Sequence, residues 1–182
     1  MEYTSTEIED VLLLKPSVFS DNRGYFFESY RKSFFREEGV EVNFVQDNVS
    51  FSRQKTIRGL HYQIENPQAK LVMTLKGEIL DVAVDLRRSS PTFGQHVSCI
   101  LSSENSYQLF VPKGFAHGFL VRSPHALVHY KCSDYYNPDG ERGLNWNDPA
   151  LDIDLQIDEP ILSEKDRQNP LLPEIPDYDL FE

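Results

Sequence analysis

The stretch "EILDVAVDLR", Glu78 to Arg87, alternates its side chains with a period of two, which is the pattern of a β-strand. The two faces would carry Leu80, Val82, Val84 and Leu86 on one side, and Ile79, Asp81, Ala83 and Asp85 on the other. The run "ALVHYKCSD", Ala126 to Asp134, alternates in the same way. Both patterns predict half-buried strands and favour an all-β protein.

Turn signals separate the strand candidates along the chain. They include "SDNRG" at 20–24, "SSPTFG" at 89–94 and "NPDGERG" at 137–143. Their density is typical of an antiparallel sandwich or barrel. Residues 1–182 are therefore expected to form a single domain, because the chain has the usual length of one domain and contains no linker or repeat.

Only two short segments have helical features. The run "YRKSFFREEG", Tyr30 to Gly39, has a glycine placed to end a helix. In "LSEKDRQNP", Leu162 to Pro170, Ser163 and Asp166 match a capping box, and Pro170 prevents continuation. The proline-rich end that follows predicts an extended tail wrapped on the domain.

Composition excludes several classes of function. The net charge of −11 disfavours a nucleic-acid surface, which needs clustered Lys and Arg to neutralise phosphates. The two cysteines, Cys99 and Cys132, form no CxxC or Cys/His cluster, so neither a disulfide framework nor a zinc site is indicated. The acidic N-terminus has an apolar run of only Val11 to Leu14, which predicts neither a signal peptide nor a membrane span. We therefore expect a cytoplasmic protein without membrane or nucleic-acid partners.

The run "IRGLHYQ", Ile57 to Gln63, places an unusual set of side chains in one strand. Alternation would put Gly59, His61 and Gln63 on the same face. A lone histidine in such a strand is commonly a hydrogen-bonded structural residue. A catalytic role for His61 therefore needs support from elsewhere in the sequence.

A second histidine lies in a patterned setting. In "VPKGFAHGF", Val111 to Phe119, the spacing Pro112-x-Gly114-x-x-His117 resembles the second signature of the cupin barrels. The first cupin signature requires His-x-His and a following Glu, whereas this chain has His61-x-Gln63. The resemblance implies an antiparallel cupin-type jelly-roll barrel with a few short helices and no metal site, since two usual ligands are missing. For His117 the alternative is a satisfied core histidine.

Eight runs together resemble the dTDP-4-dehydrorhamnose 3,5-epimerase family in order and spacing. They are "DNRGYFFESY", "FVQDNVSFS", "IRGLHYQ", "AKLVMTLKGEILDVAVDLRRSSPTFG", "VPKGFAHGF", "YKCSDYYNP", "LNWNDPAL" and "LSEKDRQNP". The resemblance extends from about Lys15 to Pro170. One departure is Leu155 and Gln156, where many members have a Trp-Pro pair, and it concerns local packing rather than chemistry.

The resemblance implies an isomerase that inverts both carbons beside the ketone of a dTDP-linked 4-keto-6-deoxy sugar, in dTDP-L-rhamnose biosynthesis. Such a reaction proceeds through an enolate and needs no redox cofactor and no metal. By resemblance, His61 is the base and is paired with Asp166, Lys70 holds the enolate oxygen, and Tyr130 is the proton donor on the opposite face. For Asp166 the alternative role is helix capping, and for Lys70 a solvated strand lysine.

The resemblance also assigns the nucleotide contacts. Arg23 and Arg58 correspond to diphosphate contacts, although Arg58 has the wrong parity to share a face with His61 unless Gly59 carries a bulge. The remaining expected substrate contacts are Gln46, Asn48, Phe26, Glu28, Tyr136, Lys165 and His117. Arg23 would reach a site only if a second chain brings it there. The resemblance therefore implies a homodimer in which the N-terminal strands are exchanged between subunits.

Three classes of function remain open from the sequence. The first is the cofactor-free epimerase, or a related nucleotide-sugar 3-epimerase, 5-epimerase or ketoisomerase. The second is a metal-dependent cupin, either an oxygenase or a phosphosugar isomerase, against which Gln63 argues. The third is a sugar-binding cupin without catalysis, which would not need an acid and a base on opposite faces of a pocket.

Overall fold

Thirteen strands form two antiparallel sheets and a separate hairpin in the computed structural model, which describes residues 2–182. The strands are β1 (Glu2–Ser5), β2 (Leu12–Lys15), β3 (Phe19–Asp21), β4 (Gly24–Phe26), β5 (Gln46–Arg53), β6 (Ile57–Gln63), β7 (Lys70–Lys76), β8 (Glu78–Asp85), β9 (His96–Ser102), β10 (Gln108–Val111), β11 (Phe115–Val121), β12 (His125–Cys132) and β13 (Glu141–Gly143).

The order of strands is that of a jelly-roll barrel. One sheet has the order β1-β2-β10-β7-β12-β5 and the other the order β13-β6-β11-β8-β9. Every strand pair is antiparallel, and most neighbours are distant in sequence. The prediction of an all-β, cupin-like fold is thus confirmed. The hairpin β3–β4 pairs with no other strand in residues 2–182.

The helices are short, as the sequence predicts. Helix α1 (Lys32–Glu37) lies within the expected segment and is followed by Gly39 with φ of +77°. Helix α2 (Glu164–Arg167) begins after Ser163. Two 3₁₀ turns, Leu172–Glu174 and Asp177–Asp179, follow it. No helix within residues 2–182 has the length and apolar character needed to cross a membrane.

Three apolar clusters hold the layers together. The largest takes residues from both sheets, among them Val72 and Val128 from one and Ile79 and Val97 from the other, and so lies between the sheets. A second cluster packs α1, through Phe35, on the outer face of the six-stranded sheet. The third covers the outer face of the five-stranded sheet. The site described below opens at one end of the space between the sheets.

The prediction that residues 78–87 form a half-buried strand is wrong on one point. Val82 and Val84 are as buried as Ala83 on the opposite face, because the segment after β13 covers the outer face of β8. Leu151 and Ile175 supply part of that cover. The expected tail is therefore packed on the sheet, but it contains the two 3₁₀ turns and is not uniformly extended.

Candidate active site

His61 on β6 forms a pair with Asp166 of α2. His61 Nε2 is 2.5 Å from Asp166 Oδ1, and the aspartate is 4% exposed. Burial acts to raise the pKa of Asp166, but the hydrogen bond and electrostatic interaction with His61, and smaller effects of Ser163 and the Gly59 backbone, lower the pKa below its usual value. Asp166 therefore stays ionised beside the imidazole.

Asp166 reaches this position because the chain around α2 is fixed at both ends. Backbone hydrogen bonds join Ile57 to Ile161 at 3.0 Å and Asn145 to Pro170 at 2.8 Å. Half of the expected capping box is formed, since the Asp166 N–H donates to Ser163 Oγ at 3.1 Å. The carboxylate does not complete the box and instead faces His61. The capping role and the role beside histidine thus use different atoms of one residue.

An irregularity at Gly59 brings Arg58 to the same pocket as His61. The β6–β11 register pairs Phe119 with Arg58 but His117 with His61, so β6 has one extra residue here. Gly59 has φ of +112°, and a Cβ atom there would lie 2.7 Å from the Gly118 Cα. Only glycine fits this conformation and this approach of the two strands. Arg58 Nε donates to Ser52 Oγ at 2.8 Å.

Lys70 and Tyr130 form the wall that faces His61. They lie on the neighbouring strands β7 and β12, where Lys70 is paired with Cys132 and Tyr130 with Val72. Burial lowers the pKa of Lys70, against the opposing effects of Cys132, Asp81 and Glu141. Among residues 2–182, no side chain or carbonyl makes a hydrogen bond or ion pair with Lys70 Nζ. The ammonium is therefore available to a ligand.

Tyr130 keeps its proton in this environment. Burial, with a smaller contribution from Cys132, raises the pKa of its phenol, although Arg58 and a hydrogen bond with Asn48 act in the opposite direction. A neutral phenol can donate a proton or a hydrogen bond. Tyr130 is thus a possible acid on the wall opposite the histidine–aspartate pair.

Two adjoining cavities, of about 250 and 210 Å³, share His61, Lys70 and Tyr130. The smaller cavity is also lined by Arg58, Ser50, His117, Gly118, Phe119, Ser163 and Asp166. The larger cavity is also lined by Gln46, Asn48, Tyr62, Gln63, Gln68, Tyr136 and Glu141. We refer to the two together as the cleft. A cavity of about 640 Å³ lies elsewhere, beside β1 and the segment after α1, and includes none of these residues.

The outer part of the cleft is polar and is organised by Glu141. Tyr136 Oη donates to Glu141 Oε2 at 2.7 Å, and Lys165 forms an ion pair with the same oxygen. The amide of Gln46 donates to Asn48 Oδ1 at 3.1 Å, and the Tyr136 N–H donates to Gln46. Glu141 is not among the predicted site residues. Its segment "NPDGERG" predicts only a turn, and its pairing with β6 is a long-range contact.

His117 is also in the cleft and has its own aspartate. Its Nε2 is 2.9 Å from Asp81 Oδ1, and the two side chains are 7% and 0% exposed. Both histidines of the cleft are therefore paired with buried carboxylates. Asp81 was not predicted as a site residue, because a single aspartate on the inner face of a strand carries no recognisable motif.

Gln63 has a structural role at the position where cupins have a second metal-binding histidine. Its amide donates to the carbonyls of Asn66 and Tyr135 at 2.9 and 3.2 Å, and its oxygen accepts from the Asn137 N–H at 2.9 Å. The side chain is thus fully engaged in holding the loop that carries Tyr136. In residues 2–182, no three His, Cys, Asp or Glu side chains are grouped as a metal site would require.

Three predicted contacts do not lie in the cleft of their own chain. Arg23 and Phe26 belong to the exposed β3–β4 hairpin, where Arg23 forms an ion pair with Asp21 at 2.6 Å. Glu28 follows the hairpin and forms an ion pair with Arg31 at 2.9 Å. The other predicted residues, which are His61, Asp166, Lys70, Tyr130, Arg58, Gln46, Asn48, His117, Tyr136 and Lys165, lie in the cleft or at its edge.

Comparison with known proteins places the chain in a family. The sequence model of dTDP-4-dehydrorhamnose 3,5-epimerase matches residues 5–174. The protein of that name from Pseudomonas aeruginosa is 55% identical over 170 residues, which cover 92% of this chain and 94% of that protein.

Solved structures agree with the sequence match. The structure of a dTDP-6-deoxy-D-glucose-3,5-epimerase from Legionella pneumophila, in complex with dTDP-4-keto-L-rhamnose, has a TM-score of 0.97 and 45% identity, covering 100% of this chain and 97% of that one. A dTDP-4-dehydrorhamnose 3,5-epimerase from Bacillus anthracis, with TDP and PPi bound, has a TM-score of 0.91 and 50% identity, covering 94% and 99%. The chain thus belongs to the dTDP-4-dehydrorhamnose 3,5-epimerase family.

Proposed function

We propose that this protein inverts carbons 3 and 5 of dTDP-4-dehydro-6-deoxyglucose to give dTDP-4-dehydrorhamnose, as a step in dTDP-L-rhamnose biosynthesis in the cytoplasm. The observation that carries the proposal is one cleft in which the His61–Asp166 pair faces Lys70 and Tyr130. A base, an oxyanion partner and an acid are the groups that this reaction needs. The family relationship supplies the identity of the sugar nucleotide.

His61 removes a proton from the carbon next to the ketone. The protons on carbons 3 and 5 are acidic because their loss gives an enolate that shares charge with the ketone oxygen. Asp166 accepts a hydrogen bond at Nε2 of His61, which leaves the second ring nitrogen to take the proton. The buried carboxylate then stabilises the imidazolium that forms.

Lys70 stabilises the enolate oxygen. Lys70 is half-buried, and no group of residues 2–182 makes a hydrogen bond or ion pair with its Nζ. A preorganised positive charge in a partly buried cleft stabilises an anion more than the same charge in bulk solvent does. Lys70 can thereby lower the barrier to proton loss at either carbon, since both carbons share one ketone.

Tyr130 returns a proton to the face of the sugar opposite His61. Its raised pKa keeps the phenol protonated at neutral pH. Removal from one face followed by donation to the other inverts the carbon. No redox cofactor and no metal ion enters these steps.

The nucleotide part of the substrate is held by cleft residues that surround the catalytic group of His61, Lys70 and Tyr130. Arg58 at the inner cavity suits the diphosphate, because its guanidinium can bind two phosphate oxygens at once. Tyr136 offers a ring for the thymine, and Gln46, Asn48, Lys165 and Glu141 supply polar contacts at the outer end. His117 supports the inner wall.

The protein acts as a homodimer in which the β3–β4 hairpin of each chain reaches the cleft of the other. The exposed aromatic rings of the hairpin support this exchange between subunits. In the single chain Phe19 is 66% exposed and Phe26 is 70% exposed. Arg23, Phe26 and Glu28 would then contact the diphosphate and the base in the partner's site.

The test is hydrogen exchange by the chelator-treated protein. The wild-type protein is incubated with dTDP-4-dehydro-6-deoxyglucose in deuterated water, and incorporated deuterium is counted by mass spectrometry and located by NMR. Deuterium at carbons 3 and 5 with inverted configuration is expected. Deuterium at one carbon alone would make the protein a single-site epimerase, and no exchange would remove the epimerase proposal.

A further inference from the structure

Residues 134–137, which we call the Tyr136 loop, follow β12 and carry Tyr136 at the outer part of the cleft. The loop belongs to no helix or strand, and Asp134, Tyr135 and Tyr136 take part in no backbone–backbone hydrogen bond within residues 2–182. Tyr136 is 54% exposed, so burial alone does not fix its ring. The position of the loop therefore depends on side chains from other parts of the chain.

Gln63 holds the middle and the end of the Tyr136 loop through one amide group. Its Nε2 donates to the Tyr135 carbonyl at 3.2 Å and to the Asn66 carbonyl at 2.9 Å, and its Oε1 accepts from the Asn137 N–H at 2.9 Å. Both hydrogens of the amide are used, and the residue is 4% exposed. Gln63 is thus committed to contacts within the protein and has no donor left for a ligand.

Two other glutamines complete the support of the loop. Gln68 Nε2 donates to the Asp134 carbonyl at 2.8 Å, and the Tyr136 N–H donates to Gln46 Oε1 at 3.0 Å. The Tyr136 hydroxyl donates to Glu141 at 2.7 Å, so this residue is held at its backbone and at the far end of its ring. Gln46 and Gln68 are less buried than Gln63, and a ligand in the cleft could also contact them directly.

We propose that Gln63 is a positioning residue for nucleotide binding, which fixes the Tyr136 loop so that the ring of Tyr136 is in place for stacking before the ligand arrives. This inference rests on the proposed function, because it concerns the residue that offers a ring to the thymine. A loop that must become ordered when a ligand binds lowers the affinity, and a loop ordered beforehand avoids that cost. Gln63 thereby sets the affinity for the nucleotide without touching the reacting carbons.

An effect on the Tyr136 loop should appear in binding rather than in chemistry. The reaction changes only the sugar, so the nucleotide is bound equally in the ground state and in the transition state. Loss of such binding raises KM and leaves kcat nearly unchanged. Gln63 is two residues beyond His61 on β6, so a general distortion of this strand would displace the base and lower kcat instead. The division between KM and kcat therefore separates positioning of the loop from damage to the strand.

The first experiment compares wild type, Gln63→Glu and a matched control, Gln54→Glu. Gln63→Glu keeps the shape of the side chain but replaces the amide donor by an oxygen facing two carbonyl oxygens. The Kd of dTDP and the KM of dTDP-4-dehydro-6-deoxyglucose should rise about tenfold, the scale of one stacked base, while kcat stays within about twofold.

The control removes the same kind of hydrogen bond outside the cleft. Gln54 Nε2 donates to the Arg122 carbonyl at 2.8 Å, and Gln54→Glu should leave Kd, KM and kcat near wild type. In Gln63→Glu, a fall in kcat as large as the rise in KM would overturn the proposal. Unchanged Kd and KM in that variant would overturn it as well.

A double-mutant cycle shows whether the effect of Gln63 passes through Tyr136. The Kd of dTDP is measured by calorimetry for wild type, Gln63→Glu, Tyr136→Ala and the combined variant. If Gln63 acts by placing the ring, the combined variant should bind dTDP about as weakly as Tyr136→Ala alone. Additive losses would mean that Gln63 affects binding by another route, and they would overturn the proposal.

A second variant, Gln63→Met, removes the same hydrogen bonds without adding charge and enters the same cycle if Gln63→Glu does not fold. In this variant the Asn137 N–H loses its acceptor, so its hydrogen exchange measured by NMR should be faster by roughly tenfold or more. Unchanged exchange would show that Gln63 does not hold the loop. Failure of the wild-type protein to bind dTDP would overturn the proposed function and this inference with it. Binding by wild type together with additive losses in the cycle would overturn this inference alone.

Discussion

His61 and His117 are direct partners in the β6–β11 register, and each imidazole contacts a buried aspartate through Nε2. The two aspartates come from different parts of the chain, Asp166 from α2 and Asp81 from β8. His61 is the more open of the two, with 30% of its side chain exposed against 7% for His117. The more accessible imidazole is the one suited to meet a substrate carbon, which is the basis of the following prediction.

Substitution His61→Ala should abolish deuterium incorporation at both carbons. A general base typically accelerates proton transfer by roughly 10² to 10⁴-fold. One imidazole can act at both carbon 3 and carbon 5 because both carbons flank the same ketone. Binding of dTDP, measured by calorimetry, should remain close to wild type because the diphosphate and thymine contacts lie elsewhere in the cleft. Exchange at nearly the wild-type rate would show that another residue is the base.

Substitution Tyr130→Phe should separate exchange from inversion. The ring and its packing are kept, while His61 can still remove a proton and Lys70 can still hold the enolate. Reprotonation then comes from the original face or slowly from water, so deuterium enters with retained configuration. Inversion should fall by up to about 10² to 10⁴-fold, far more than exchange.

Both quantities can be followed in one Tyr130→Phe sample, with deuterium measured by mass and configuration by proton coupling constants. Folding should survive, although Asn48 loses the phenol as a partner. An equal loss of exchange and inversion would assign Tyr130 to binding or to enolate stabilisation, and a different donor would have to be sought in the cleft.

Chelators should leave the activity unchanged, and purified protein should contain no stoichiometric transition metal by elemental analysis. The amide of Gln63 is engaged with three backbone groups, and His117 faces Asp81, so these side chains are committed to other contacts. A metal site built from imidazoles and a carboxylate lacks its usual donors here. Loss of activity on chelation that one added metal restores would favour the metal-dependent cupin.

Substitution Asp85→Asn should lower the free energy of unfolding at pH 7 by about 1 to 3 kcal/mol, because Arg87, Ser90 and Thr92 lose the carboxylate. Burial opposes ionisation, but hydrogen bonds from these three residues lower the pKa of Asp85 overall. A carboxyl group whose pKa in the folded state is below its unfolded value of about 3.9 stabilises the folded state at pH values above the unfolded pKa. The difference from wild type should therefore be full at neutral pH and shrink below about pH 4, as measured by urea denaturation. A difference that does not depend on pH would contradict the assignment.

Alternation of side chains predicts the inner wall of the cleft better than its edges. Tyr130 has the expected parity with Val128 and Cys132 on β12, and the fold class follows from such strands and the turns between them. Arg58 has the wrong parity by the same rule, and only the extra residue at Gly59 brings it to the cleft. A bulge depends on how two strands pack, here through Gly118, and a local pattern does not contain this information.

Long-range contacts account for the remaining differences between the structure and what the sequence predicts. Glu141 enters the cleft because β13 pairs with β6, where it is the partner of Gln63. Val82 and Val84 are buried on the outer face of β8 because the chain beyond β13 returns to cover them. Neither relationship leaves a periodic signal in the residues themselves. The roles of His61, Lys70 and Asp166 are predicted only through the family resemblance. Each of these residues, taken by itself, has a common structural explanation.

The last prediction tests the exchange of the β3–β4 hairpin between subunits by mixing two impaired variants, Arg23→Ala and His61→Ala. If Arg23 serves the partner's cleft, a mixed dimer contains one complete site, formed by the His61 of one chain and the Arg23 of the other. Random mixing makes half of the dimers mixed, so roughly a quarter of wild-type activity should return. The measurement is the rate of epimerisation after co-refolding or co-expression, at substrate concentrations below KM.

The matched control mixes Tyr130→Phe with His61→Ala, because both residues lie in the same chain's cleft. A dimer of these two variants contains no site with both groups, so its activity should not exceed the average of the separate variants. Arg23 in its own chain is engaged with Asp21 on the exposed hairpin and lines none of the cleft, which is why recovery is expected in the first mixture alone. Absence of recovery with Arg23→Ala, in dimers verified as mixed by native mass spectrometry, would mean that the hairpin serves its own chain or no site at all.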